Sequence, residues 1–206
     1  MDDVFRNAVW LIGAIRKGLE ARGGEGVDEV LGRLAEHRLE PADFRMPEPA
    51  RLPVLKYLPD CIGQAMLLDA DLAAALAAIE DDLHWARSAS YSDAVLGEGF
   101  CDNYGWTELI GSRGFFAGDD FRLGLLMLGP DRHYKDHYHP APELYWPLTG
   151  PSDWKAGAGG FATRAAGEII WHIPWKVHAT VTGSTPLLAV WSWTRDADTP
   201  AKLVGA

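Results

Sequence analysis

The feature that most constrains this chain is the spacing of its histidines around one acid. Five of the seven histidines lie between residues 133 and 178. His137 and His139 are two residues apart, so on a β-strand their side chains leave the same face, and Glu143 follows four residues later. His178 lies on a later segment that antiparallel packing can bring back to the same place. The pattern predicts a folded sheet that brings these imidazoles and the carboxylate together at one site.

The second half of the chain has the composition and spacing of an antiparallel β domain. Near residue 100, alanine-rich helical spacing gives way to short runs of aromatic residues, glycine and threonine separated by turn residues. Eight short strands at this spacing are typical of a jelly roll or small barrel, which leaves few sheet edges exposed. The predicted strands are Trp106–Ile110, Phe121–Leu128, Tyr134–His139, Glu143–Thr149, Gly160–Arg164, Glu168–His172, His178–Thr182 and Leu187–Thr194.

The first half is predicted to be mainly helical. Apolar residues recur at three-and-four spacing over Val4–Leu19, which indicates an amphipathic helix, and a shorter helix is expected over Asp28–His37. Five prolines break up the stretch Pro41–Pro59. A third, longer helix is expected from an Asp71 N-cap to about Arg87.

These patterns predict a mainly β fold with an N-terminal α-helical segment. We expect residues 1–100 to form the helical segment that packs on the barrel, and residues 101–206 to form the barrel with its metal site. A cover for one barrel end, a lid and a subunit contact are all roles consistent with the helical segment.

Composition excludes several classes of protein. The net charge of −10 argues against nucleic acid or an anionic membrane as a partner, since both require a basic face. The sequence has no apolar run of the roughly 18 residues that a membrane span needs, and Asp2 and Asp3 place acid directly after Met1, where a secretory signal is basic. We therefore expect a cytoplasmic monomer or homodimer in which Cys61 and Cys101 are reduced.

A mixed shell of nitrogen and oxygen donors is typical of one divalent metal ion. We expect His139, Glu143 and His178 to bind it, with His137 as a further ligand, and Fe(II), Zn, Mn, Ni and Co all suit such a shell. The alternative is a set of ordinary polar residues on a strand surface. Several ligand-type residues at this spacing on one face favour the metal site.

The remaining histidines have other predicted roles. His133 and His172 are interpreted as structural, or as residues that orient a ligand by hydrogen bonding. His84 falls on the predicted third helix and has no identifiable partner.

The same residues reproduce a known motif. His137, His139, Glu143 and Gly150 match H-x-H-x(3)-E-x(6)-G, the first motif of the cupins, whose fold is a double-stranded β-helix or jelly-roll barrel. The segment from Gly167 to His178 resembles the second cupin motif, although Thr182 stands where asparagine is usual and the inner glycine is absent. Asp131 likewise replaces the glycine that opens the first motif.

Tyrosines and tryptophans supply candidate catalytic and substrate-binding groups. Tyr145 lies two residues after Glu143 and so shares its face of the strand, while Tyr134 precedes His139 by five residues. A nearby dication lowers the pKa of a phenol, so Tyr145 is a candidate general base or metal ligand. Both tyrosines, and the tryptophans of the late strands, are also consistent with a role in filling the barrel. Aromatic faces also attract organic cations, and the candidate substrate contacts are Tyr134, Trp171, Trp175 and Trp193.

The order Tyr134, His137, His139, Glu143, Tyr145 and a distant His178, after about a hundred mainly helical residues, resembles the cupin-type dimethylsulfoniopropionate lyases of the DddQ type. The resemblance implies a carbon–sulfur lyase that releases dimethyl sulfide and acrylate. It implies that His139, Glu143 and His178 bind the metal with His137 at or near it, that Tyr145 is the base, and that Tyr134 lies in the pocket as a second candidate catalytic residue.

The implied reaction is a β-elimination. Tyr145 would remove the proton next to the metal-bound carboxylate of the small zwitterionic substrate, and the carbon–sulfur bond would then break. A cupin of the same superfamily that acts on another small carboxylate would have the same metal site. The sequence is also consistent with an iron(II)-dependent cupin dioxygenase and with a non-catalytic effector-binding cupin.

Overall fold

The chain begins with an amphipathic helix, as its apolar spacing predicts. The computed structural model describes residues 2–205, and within them α1 (Asp2–Arg22) buries Ile15 and Leu19 on one face. The helix ends where Gly23 takes a positive φ of 61°, a conformation that glycine adopts without steric cost. The predicted helix over Val4–Leu19 is confirmed and is longer at both ends.

Further helical elements follow before residue 104. They are α2 (Val27–Ala35), α3 (Leu58–Leu68), α4 (Ala70–Ala77) and α5 (Asp93–Leu96), with 3-10 turns at Pro53–Tyr57, Glu80–Asp82 and Cys101–Asn103.

The expected third helix over Asp71–Arg87 is wrong in its start and its length. Asp69, not Asp71, caps α4, because its side chain accepts a hydrogen bond of 3.1 Å from the amide of Leu72. After α4 the chain leaves the helical path, and the amide of Trp85 donates to the carbonyl of Ala50 at 3.0 Å. These tertiary hydrogen bonds outweigh the helical preference of the alanine-rich sequence.

Two neighbouring details of the same region also differ from the sequence-based expectation. His84 lies in an isolated bridge to Ala50 and not on a helix. The helix α3 was not expected because Pro59 reads as a breaker, whereas proline is well tolerated in the first turn of a helix.

The part of the chain that the structure describes contains ten strands, and eight of them match the predicted ones to within a few residues. The two unpredicted strands, Ser152–Ala156 and Lys202–Leu203, are short and rich in polar residues. The strands are β1 (Tyr104–Ile110), β2 (Arg122–Leu128), β3 (His133–Tyr138), β4 (Glu143–Pro147), β5 (Ser152–Ala156), β6 (Ala162–Arg164), β7 (Ile170–His172), β8 (His178–Thr182), β9 (Leu187–Trp193) and β10 (Lys202–Leu203).

Across residues 2–205 these strands form two antiparallel sheets of five strands each. The first has the order β1-β2-β9-β4-β7 and the second has the order β10-β3-β8-β5-β6. The chain passes back and forth between the two sheets in the manner of a jelly roll. The mainly β cupin fold with an N-terminal helical segment is confirmed.

The first sheet is buried on both of its faces. Along β4, Leu144 and Trp146 belong to the hydrophobic core shared with the helices, whereas Tyr145 belongs to a second core inside the barrel. This alternation follows from the two-residue period of a strand. The N-terminal helices therefore cover the outer face of the first sheet, and Glu143 and Tyr145 face the interior.

Two smaller expectations concern cysteines and membranes. Cys61 is buried, Cys101 is half-buried, and both are free thiols. Between residues 2 and 205, no helix combines the length and the apolar character required to cross a membrane.

Candidate metal centre and active site

Three predicted metal ligands converge between the two sheets. Nε2 of His139 lies 3.1 Å from Oε2 of Glu143, and Nε2 of His178 lies 3.2 Å from the same oxygen. All three side chains are buried. Of residues 2–205, these three form the group of histidine, cysteine and acidic side chains whose ligand atoms lie within 4.8 Å of one another.

Backbone carbonyls fix the orientation of the histidine rings. Nδ1 of His139 donates to the carbonyl of Ala141 at 2.9 Å, and Nδ1 of His178 donates to the carbonyl of Lys176 at 2.7 Å. A carbonyl oxygen can only accept, so each Nδ1 carries the hydrogen and each Nε2 of a neutral ring presents a lone pair. This is the arrangement in which a histidine binds a metal through Nε2.

The contacts between these atoms call for a cation. Two Nε2 lone pairs face one carboxylate oxygen, so hydrogen-bond acceptors lie next to one another with no hydrogen between them. Nε2 of His178 is buried without a hydrogen-bond partner. Ligand atoms that each lie about 2.1 Å from one ion are roughly 3 Å apart, which agrees with the distances to Glu143. Protonating both rings instead would place two charges on rings whose centroids are 5.1 Å apart. The residues therefore fit a divalent metal ion.

The acid of the group is held as a carboxylate. Burial by itself raises the pKa of Glu143, whereas positive charge on the side of His139 and His178 lowers that pKa well below its ordinary value, and a cation held by the two neutral rings would have the same effect. The indole Nε1 of Trp193 donates to Oε1 of Glu143 at 2.7 Å, which leaves Oε2 directed at the two histidines.

His137 lies beside this group but is not one of its three members. Its register partner across β3 and β8 is His178, and the two ring centroids are 4.1 Å apart. Nδ1 of His137 donates to the carbonyl of Lys135 at 2.8 Å. Burial, with His178 close by, lowers the pKa of His137 well below its usual value, so the ring is neutral and able to bind a metal.

His172 and His133 occupy different environments. His172 is the register partner of Glu143, and its ring stacks on that of His178 at 4.2 Å. Burial and the nearby His178 lower the pKa of His172 to about 3, and both of its ring nitrogens are buried without hydrogen-bond partners. His133 is exposed at the start of β3, next to Phe161.

A cavity of about 260 Å³ opens beside the histidine–glutamate group. Its walls are mainly aromatic, and it includes residues from both the helical segment and the barrel. The lining includes Ser88, Tyr91, Tyr104, Trp106, Arg122, Tyr134, His137, His139, Glu143, Tyr145, Trp191, Trp193 and Asp198.

The candidate base Tyr145 lines this cavity together with Glu143. Burial, followed by the Glu143 carboxylate, raises the pKa of Tyr145 well above its ordinary value. The phenol of the protein by itself is therefore neutral. A cation bound by His139, Glu143 and His178 would instead lower the pKa of Tyr145.

Two of the four predicted substrate contacts line the cavity and two do not. Tyr134 and Trp193 line it. Trp171 pairs with Leu144 and packs into the core beneath the helices, and Trp175 is 60% exposed on the surface. The geometry gives no support to substrate contacts by Trp171 and Trp175.

Several lining residues are not among those that the sequence singled out. Tyr104 and Trp106 are alternate residues of β1, and Trp191 alternates with Trp193 on β9, so the period of two carried a signal for these residues. Arg122 ion-pairs with Glu108 at 3.1 Å. Ser88 and Tyr91 come from the helical segment, where no periodic pattern marks them.

Comparisons with known proteins agree on one family. A family profile described as dimethylsulfoniopropionate lyase matches residues 27–189. The dimethylsulfoniopropionate lyase DddQ of Ruegeria pomeroyi is 29% identical over 146 residues, which are 67% of this chain and 73% of that protein.

Solved structures show the same similarity over nearly the whole chain. One described among the DMSP lyases RdDddP and RnDddQII superposes with a TM-score of 0.75 and 26% identity, over 96% of this chain and 97% of that one. The crystal structure of DddQ from Ruegeria pomeroyi DSS-3 has the same fold, with a TM-score of 0.69 and 24% identity over 99% and 98% of the two chains. Since the family profile covers most of the chain, including His139, Glu143, Tyr145 and His178, this protein belongs to the dimethylsulfoniopropionate lyase family and is a lyase with a cupin barrel.

Proposed function

We propose that this lyase cleaves dimethylsulfoniopropionate to dimethyl sulfide and acrylate by a metal-dependent β-elimination with Tyr145 as the base. The observation that carries the proposal is the Tyr145 phenol, which lines the same small cavity as His139 and Glu143. The substrate is a zwitterion with a carboxylate at one end and a sulfonium at the other, and its acidic proton is on the carbon next to the carboxylate.

His139, Glu143 and His178 would hold the metal, with His137 at or near it. Fe(II), Zn, Mn, Ni and Co all suit this donor set, and the reaction includes no redox step. The bound ion would supply Lewis acidity, which stabilises negative charge developing next to the substrate carboxylate and lowers the pKa of a nearby phenol.

Tyr145 is the group of this chain that would move the proton. As phenolate it accepts the proton from the carbon next to the carboxylate, and the electrons of that bond form the carbon–carbon double bond. The carbon–sulfur bonding pair leaves with sulfur, so the products are neutral dimethyl sulfide and acrylate. Tyr134 on β3 is buried and lines the same cavity, where it would contact the substrate.

Three indoles would hold the sulfonium before it leaves. The ring centroids of Trp106 and Trp191 are 6.2 Å apart, and those of Trp191 and Trp193 are 5.7 Å apart, with ring planes nearly perpendicular in both pairs. Indole faces attract organic cations through their quadrupole. Neutral dimethyl sulfide lacks this attraction, which favours its release.

The test is dimethyl sulfide release by the purified protein under anaerobic conditions, followed by headspace gas chromatography. Aliquots are compared as purified, after chelation, and after each divalent metal is added back. We expect equal amounts of dimethyl sulfide and acrylate, loss of activity on chelation, and recovery with at least one metal. Product that forms only in a parallel sample supplied with oxygen would indicate a dioxygenase, and no product with or without oxygen in any reconstituted sample would exclude this substrate.

A further inference from the structure

The turn between β7 and β8 has an unusual backbone conformation. It consists of Ile173, Pro174, Trp175 and Lys176, and the amide of Lys176 donates to the carbonyl of Ile173 at 3.1 Å. Proline in second place, a positive φ of 64° at Trp175 in third place and this hydrogen bond are the pattern of a type II turn. The third place of such a turn favours glycine, because a Cβ atom there crowds the backbone. A large aromatic residue in this conformation is therefore strained.

The same turn is hydrogen-bonded to both histidine segments of the candidate metal centre. The amide of Trp175 donates to the carbonyl of His139 at 2.8 Å. The carbonyl of the next residue, Lys176, accepts from Nδ1 of His178 at 2.7 Å. His139 follows β3 and His178 begins β8, so the two donors come from separate parts of the chain. The turn thus holds the main chain of one histidine and the ring of the other.

The direction of the Trp175 amide depends on the sign of its φ. Type I and type II turns differ by a flip of the peptide group between their second and third residues. With the negative φ of a type I turn, the N–H of Trp175 would point to the opposite side of the turn, away from His139. The left-handed conformation is therefore the one in which this turn bonds to both histidines.

The side chain of Trp175 is directed toward the surface and not toward the metal centre. It is 60% exposed, and its ring lies beside that of Tyr138 with centroids 6.3 Å apart, whereas His139 and His178 are buried. The backbone is also held beyond the turn, since the carbonyl of Val177 accepts a hydrogen bond of 2.7 Å from a neighbouring amide. Strained residues persist where the surrounding structure holds them in place, and they cluster at functional sites. What joins Trp175 to the site is its main chain.

We propose that Trp175 is a positioning residue of the metal centre that acts through its left-handed backbone. Its amide holds the main chain of His139, and its turn presents a carbonyl to the ring of His178. The inference rests on the metal binding that the proposed function assigns to these histidines and Glu143. Groups that orient metal ligands in this way set the direction of the donor atoms before the ion binds.

The experiment separates the backbone of Trp175 from its ring. Trp175→Pro removes the amide hydrogen and imposes a negative φ. The matched control, Trp175→Ala, removes the ring but keeps the amide and the Cβ atom. Trp175→Gly keeps the amide and adopts the left-handed conformation without steric cost. Each full-length chain is stripped of metal and titrated with Co(II). The dissociation constant, the visible absorption spectrum of the bound ion and the thermal unfolding of the metal-free chain are measured.

We expect Trp175→Pro to bind Co(II) about ten- to a hundredfold more weakly than the wild-type chain, the usual loss when a group that orients a metal ligand is removed. The spectrum of its bound ion should change, because the two histidines are no longer held in one direction, while the metal-free chain still unfolds cooperatively. Trp175→Ala and Trp175→Gly should bind Co(II) with the affinity and spectrum of the wild-type chain, since both keep the amide hydrogen.

Should Trp175→Pro fail to fold, Trp175→Val takes its place, because a β-branched residue keeps the amide but disfavours the left-handed conformation. It should bind Co(II) more weakly than Trp175→Ala does.

Two results would overturn the positioning role and leave the metal centre intact. They are wild-type affinity in Trp175→Pro, or in Trp175→Val where that variant replaces it, and an equal loss of affinity in Trp175→Ala, which would assign the effect to the ring. A wild-type chain that binds neither Co(II) nor Zn(II) would overturn the metal dependence of the proposed function together with this role.

Discussion

At the scale of single residues, hydrogen bonds to nearby backbone carbonyls orient the histidine rings of the site. Each histidine of the candidate metal centre donates its Nδ1 hydrogen to a backbone carbonyl two residues away, at Ala141 for His139 and at Lys176 for His178. The orientation of each ring is thus fixed by its own segment of chain. Glu143 is oriented separately by the indole of Trp193, so the three donors are directed at one point before any ion binds.

The function proposed above assigns metal binding and proton transfer to different residues, and this leads to the first prediction at the residue scale. His139→Ala and His178→Ala should lose both bound metal and activity, because each removes one donor of a three-residue group. Tyr145→Phe should keep its metal and lose activity by at least about a hundredfold, the usual contribution of a general base. Metal content by mass spectrometry and dimethyl sulfide release are measured on the same samples.

Tyr138→Phe is the matched control for that comparison. Tyr138 precedes His139 directly, but its ring packs near Trp175 outside the cavity. It should retain both metal and activity. Full activity in Tyr145→Phe would contradict the assignment of the base, and metal loss in that variant would indicate that Tyr145 is a ligand.

At the scale of elements, the contact between α1 and the first sheet depends on a glycine. A Cβ atom added at Gly18 would lie 2.2 Å from the Trp146 side chain, which is buried beneath the helix. The guanidinium of Arg22 lies 4.3 Å from the centre of the same ring. The helix can approach the sheet this closely only because residue 18 has no side chain.

Gly18→Ala should therefore lower the free energy of unfolding by about 1–3 kcal/mol, since overpacking forces the indole or the helix to move. Gly13→Ala in the same helix is the control, because nothing lies within 4 Å of its added Cβ. That variant should be stabilised by about 0.5–1 kcal/mol through helix propensity alone. Urea unfolding measures both, and equal effects of the two substitutions would show that the close packing is unimportant.

At the scale of the whole molecule, the barrel is not complete without the helices. The first sheet places Leu144 and Trp146 on its outer face, in the core that it shares with α1. Tyr91 and Ser88 from the helical segment line the cavity inside. We therefore propose that the two segments, although distinct in sequence, fold as one cooperative unit.

A truncated chain of residues 101–206 tests this proposal. Without the helices, the apolar outer face of the first sheet would be exposed to water, which costs about 25 cal/mol for each Å² of apolar surface. We expect no cooperative thermal transition by circular dichroism, whereas the full chain should show one. A sharp transition in the truncated chain would establish the barrel as an independent domain.

Local patterns predicted most of the site. The two-residue period of strands places His137 beside His139 and Tyr145 beside Glu143, and neither relation depends on the rest of the fold. The same period explains why Trp171, a predicted substrate contact, does not line the cavity. Trp171 neighbours the inward-facing His172, so its side chain faces outward, toward the helices. Parity along β7 by itself excludes Trp171 from the cavity.

The sequence by itself determined which residues share a face of each strand, the residue types of the candidate metal centre and the division into a helical and a β half. Only the tertiary structure decided that Tyr91 reaches Tyr134 and that the chain leaves the helix before His84. The physical reason is the distance along the chain over which each effect acts. Periodicity acts between neighbours in the chain, whereas these contacts depend on which strands and helices pack together, and that is set by burial summed over the whole fold.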